Sequence, residues 1–124
     1  MRGRIILFPP DLESPLVAGE ACTGGGAFSD ISAGMQVSVR DTSDAELAGA
    51  RLTDGMPLGS VACAFTFTID EVPHASIYVI ALGNAGRRGG PAFSFQEMVD
   101  LNWNVDIEFG ERPPALSNWT PPPL

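Results

Sequence analysis

Residue types that carry out chemistry are thinly spread along this chain. The two thiols, Cys22 and Cys63, are too far apart for a Cys-x-x-Cys redox site and lack the further ligands of a zinc cluster. A disulfide between them is the natural reading. Closing a loop of that length stabilises a small domain by about 4 kcal/mol in the chain-entropy picture. Two buried free thiols in a reducing compartment are the alternative, because oxidation ordinarily follows export. His74, the single histidine, stands in the turn Val72-Pro73-His74-Ala75 with no second imidazole to share a metal, and reads as a surface residue. No serine has the Gly-x-Ser-x-Gly setting of a hydrolase nucleophile. Thr23-Gly24-Gly25-Gly26 has the look of a phosphate-cradling loop, but the Lys-Ser/Thr and the helix of a P-loop do not follow it. Its glycines are read as steric, making room for a disulfide and a tight turn beside it. The carboxylates of Asp30, Asp41, Asp44, Asp54, Asp70, Glu71, Asp106 and Glu108 would suit a calcium ion if they converged, since calcium takes six to eight oxygens. Most of them stand at turns, where aspartate bonds its own backbone anyway. No catalytic residue, cofactor or metal ligand set is assigned, and an enzyme is not expected.

The elements that must position these residues are short. The chain has 124 residues, 44% hydrophobic and 18% charged, with 14 Gly and 11 Pro. That excludes disorder and coiled coil, and it fits one domain of many short elements joined by turns. Seven Arg and no Lys against fifteen acids give a formal charge of −8, so a polyanion would be repelled and nucleic acid is not an expected partner. Ile5 to Phe8 is too short an apolar run for a secretory signal, and Glu20 stands where a lipoprotein cysteine would follow Leu16-Val17-Ala18-Gly19. An exported domain separated from its leader is the expectation, with no direct membrane insertion by these residues.

Period-two alternation marks the strands. Met35, Val37 and Val39 alternate with Gln36, Ser38 and Arg40; the turn Asp41-Thr42-Ser43-Asp44 leads to a return strand over 47–52. Val61, Cys63, Phe65, Phe67 and Ile69 form the clearest strand, after a break at 54–59. Ile77 to Leu82 is a continuous apolar run, as expected of a strand covered on both faces. Residues 83–91, with four Gly and two Arg, read as a mobile loop. Ser94-Phe95-Gln96-Glu97 spells a capping box for a helix reaching Leu101. Trp103, Val105, Ile107 and Phe109 give a last strand, and residues 4–8 a first. The spacing predicts an all-β fold: a small antiparallel β-sandwich of six to seven strands with one short inserted helix, over residues 1–110. A Pro-rich tail, 111–124, follows as a linker or surface strap, with Trp119 as its docking residue.

Cys22-Thr23-Gly24-Gly25-Gly26-Ala27-Phe28-Ser29-Asp30-Ile31, the strand Gly34 to Asp41, Cys63-Ala64-Phe65-Thr66-Phe67, Val72-Pro73, Tyr78 and Trp103 form an ordered set. Together they resemble small actinobacterial exported, lipoprotein-like proteins with a Cys-x-Gly-x-Gly-Gly-Tyr-x-Asp-Ile segment and a Cys-x-Phe-x-Phe strand, over about residues 22–110. Phe28 replaces the tyrosine of that pattern. The resemblance implies an envelope-facing domain with its two cysteines bridged; it implies no activity or ligand.

These readings converge on a non-catalytic interaction module, extracellular or at the cell envelope, with an unidentified protein partner. Arg87, Arg88 and Trp119 are its candidate contact residues, since a rigid sandwich presents its end loops. A structural subunit of a larger assembly, its tail docked on a neighbour, is the second expectation.

Overall fold

The computed structural model describes residues 1–83 and 88–124. Among them are eight strands: β1 (Arg2–Leu7), β2 (Gln36–Arg40), β3 (Glu46–Arg51), β4 (Met56–Leu58), β5 (Ala62–Thr68), β6 (Ile77–Leu82), β7 (Arg88–Ser94) and β8 (Asn104–Glu108). They form two four-stranded sheets, ordered β4-β5-β1-β8 and β3-β2-β6-β7. β1 lies antiparallel to β5 and parallel to β8; every other ladder is antiparallel. The all-β class is as the alternation predicts.

One core lies between the sheets because alternate residues of each strand are apolar. Ile5 and Leu7 of β1 stand opposite Phe65 and Cys63 of β5, and Ile5 also stands opposite Ile107 of β8. They meet Val37 and Val39 of β2 and Tyr78, Ile80 and Leu82 of β6. Met98, the buried residue of α1 (Phe95–Asp100), closes one end of this core. α1 begins as its sequence requires: the Ser94 hydroxyl accepts from the Glu97 amide at 3.1 Å, and the Glu97 carboxylate accepts from the Ser94 amide at 2.9 Å.

Three expectations are corrected. Residues 88–91 are not loop: they open β7, an edge strand of the second sheet, where Pro91 lacks only an outward-facing donor. The remaining loop residues, 84–87, lie outside the described residues. The break at 54–59 contains β4, which ends the first sheet and tolerates Pro57 for the same reason. The outward face of β2 is not wholly wet. Ser38 is 1% exposed, because the Arg40 side chain folds over it and its Nε donates to Ser38 Oγ at 3.1 Å.

Two segments without regular strands complete the domain. Residues 8–35 run along one end of the sandwich and are tied to β5 by a disulfide, Cys22 to Cys63, with Cα atoms 6.1 Å apart. Residues 109–124 cross the outer face of the first sheet. There Ile6, Phe8, Ala62 and Ala64 make a second apolar cluster, covered by Leu116 and Trp119. Phe8 and Trp119 meet edge to face, centroids 6.0 Å apart. The tail is therefore a strap on its own domain.

Candidate functional site

The sequence-predicted residues do not converge. The cysteines are bridged, and Cys63 is fully buried in β5. The glycine loop is steric, as expected, but its close neighbour is not the disulfide: a Cβ on Gly25 would lie 2.6 Å from the Glu13 amide nitrogen. The glycine that makes room for the bridge is Gly55, where a Cβ would lie 2.8 Å from Cys63 Sγ. His74 is exposed and stacks edge-on against Phe95 at 4.7 Å. Among the described residues, no three His, Cys, Asp or Glu side chains come together to hold a metal ion.

Four of the acidic residues, Asp30, Asp44, Asp106 and Glu108, instead pair with arginines. Arg4, its side chain 6% exposed, donates from Nε to Asp106 at 2.7 Å and from Nη2 at 3.0 Å. It also donates to the Pro122 carbonyl of the strap. Arg88 donates to both oxygens of Asp30, at 3.2 and 2.7 Å, and to the Ala27 carbonyl at 3.0 Å. Its guanidinium lies 4.9 Å from the Phe28 ring and 6.0 Å from Phe109. Arg112 repeats the arrangement: it pairs with Glu108, donates to the Leu116 and Trp119 carbonyls, and lies 5.7 Å from the Phe8 ring and 5.5 Å from Trp119. The Glu108 carboxylate, by accepting these bonds, raises the pKa of Arg112 further, so it stays protonated. Of the three predicted contact residues, Arg88 is thus committed to the loop 27–30, Trp119 is half-buried in the strap, and Arg87 lies outside the described residues.

Between the Arg88 and Arg112 clusters lies a groove of about 510 Å³. Pro10 and Asp11 come from the 3-10 turn Pro9–Asp11, Phe28 from the 3-10 turn Gly26–Phe28, and Gly110 to Pro114 from the turn that starts the strap. The volume is in the range of small-molecule and peptide-side-chain sites, and such sites are typically apolar with a few placed polar groups. Here the apolar part is three prolines and a phenylalanine, and the polar part is Asp11, Glu111 and Arg112. Gly110 has φ of 77°, and a Cβ there would run into the Asp11 carboxylate and approach Phe28 to 3.3 Å. The position therefore excludes a side chain both conformationally and sterically.

The sequence reading missed this groove because its residues come from three segments of the chain. The Pro9-Pro10 and Pro113-Pro114 pairs were visible signals, but nothing local shows that they face one another. No family model, curated protein or solved structure matches the chain.

Proposed function

We propose that this protein is a non-catalytic, disulfide-stapled β-sandwich that works as a protein-interaction module outside the reducing cytoplasm, at a cell envelope of the actinobacterial kind its motifs resemble. The observation that carries the interaction role is the groove between Phe28 and Arg112. It is assembled from three segments, two of them tied to the sheets by arginines, Arg88 of β7 to the Ala27 carbonyl and Arg112 to Glu108 of β8, and a site on a fixed frame loses little entropy on binding. The Cys22 to Cys63 bridge supports the compartment, since such bonds persist where thiols are oxidised. The absence of enzyme activity is inferred from the arginine pairing: the carboxylates of Asp30, Asp106 and Glu108 are neutralised in place rather than left poised for proton transfer.

A photo-reactive cross-linking residue installed at Glu111, exposed on the groove rim, tests the reading in intact cells of the source organism. A discrete cross-linked product is expected there, and none from the same residue at exposed Glu46 on β3. Equal labelling from both positions, or none from either, overturns it. Intact mass of the native protein before and after reduction and alkylation tests the compartment: two thiols that alkylate without reduction exclude it.

A further inference from the structure

Two carboxylates beside the groove share one construction. Asp30 holds the Arg88 guanidinium near Phe28, and Glu108 holds the Arg112 guanidinium near Phe8 and Trp119. A third carboxylate, Asp11, lines the groove together with Phe28, and none of the described residues donates a hydrogen bond to its side chain or forms an ion pair with it. The Asp11 carboxylate occupies the place that a Cβ on Gly110 would take, so the absent side chain lets it sit at the groove wall. Among the described residues, the one cation lining the groove, Arg112, has its charge matched by Glu108 and its donors taken by carbonyls of the strap. Glu111 adds a second negative charge at the rim, on a chain of net charge −8.

We infer that the groove receives an arginine or lysine side chain presented by an extended peptide segment of a partner. This deepens, and rests on, the interaction reading above. The cation would pair with Asp11, its aliphatic stem lying on Phe28 and the proline rings. Alkyl stems pack on such apolar walls while the charged head reaches a carboxylate. A cation over an aromatic face gains further attraction, as Arg88 already does at this same ring. Charge complementarity selects the partner: an acidic segment would meet Asp11 and Glu111 with like charge.

The test is a titration of the full, oxidised chain followed by amide NMR shifts, with three probes: acetyl-Pro-Arg-Pro-amide, acetyl-Pro-Gln-Pro-amide and acetyl-Pro-Glu-Pro-amide. The arginine peptide is expected to move the amides of Asp11, Phe28 and Gly110. The glutamine peptide should bind about fivefold more weakly and the glutamate peptide not measurably, a gap that narrows as salt is raised. Asp11→Asn should abolish the preference for arginine over glutamine while the rest of the spectrum stays unchanged. Equal binding of the arginine and glutamine peptides at the groove overturns the cation assignment but leaves the interaction reading standing. Failure of all three to move groove residues overturns both.

Discussion

The two irregular segments of this domain are fastened in opposite ways to the same strand. Residues 8–35 reach the inward-facing side of β5 through a covalent bond at Cys63, whereas residues 109–124 reach its outward side through Trp119 and Leu116, which cover Ala62 and Ala64. Period-two geometry makes this possible, since neighbouring residues of one strand serve opposite faces. The difference follows from composition. Over residues 13–30, between the buried Phe8 and Ile31, the side chains are mostly exposed, Val17 among them at 50%, and only Leu16 and Phe28 of its large apolar side chains pack on the core. The strap brings an indole, a leucine and an arginine whose donors bind its own carbonyls. A staple is needed where burial is scarce.

The largest test of that contrast is removal of the bridge. Replacing Cys22 and Cys63 together by Ala should lower the unfolding free energy by about 4 kcal/mol, measured by urea denaturation, through the freedom regained by the unfolded loop. The strap contacts should survive in whatever remains folded. Trp119→Ala comes next, at about 2 kcal/mol, less than for a fully buried indole because this one is half-exposed. Its signature is local: proteolysis within 111–124 should precede loss of the sheets, whereas in the bridge-free protein cleavage should concentrate in 13–30. If both variants are cut first at the same place, the two fastenings are not independent.

Arg112→Met should produce the same local opening of the strap with a smaller loss of midpoint, since the apolar contacts of Leu116 and Trp119 persist. The smallest effect belongs to a turn outside both segments. Asp41 accepts from the Ser43 hydroxyl at 2.7 Å and from the amides of Ala45 and Ser43 at 3.0 and 2.9 Å, and these bonds hold its pKa below the ordinary 3.8. A lowered folded value means that the charged turn adds stability above pH 3.8 and loses it as pH falls through the folded value. Asp41→Asn should therefore flatten the acid limb of the thermal midpoint against pH, with both cleavage patterns unchanged. An altered strap cleavage in that variant would join regions that the comparison holds apart.

The strands were legible where one face of a sheet is buried and the other wet, as in β8 and the second half of β5. They were less legible where a non-local segment covers the second face. Ala62 and Ala64 alternate with Cys63 and Phe65 as a solvent face should, yet they are buried, because the strap arrives from about fifty residues away. Pro57 and Pro91 concealed β4 and β7, since proline argues against a strand unless the strand is known to be at an edge, and edges belong to topology rather than to sequence. The capping box of α1 was legible because both of its bonds are local. For the candidate site, Trp119 signalled docking correctly, but Arg88 offered no sign that Asp30 and Phe28 would claim it. Asp11 was not among the turn acids singled out, and that none of the described residues pairs with its carboxylate is visible only in the fold.

The parallel pairing of β1 with β8 bears on how this polypeptide is made. Arg4 and Asp106, which pair side by side across that ladder, are 102 positions apart. β1, an inner strand of the first sheet, precedes the other described strands, and its second edge is covered only by β8, which follows them all. Contacts so distant along the chain are slow to form and reward ordering only at the end. The first sheet is therefore finished only once β8 has been made, whereas all four strands of the second sheet lie before it along the chain.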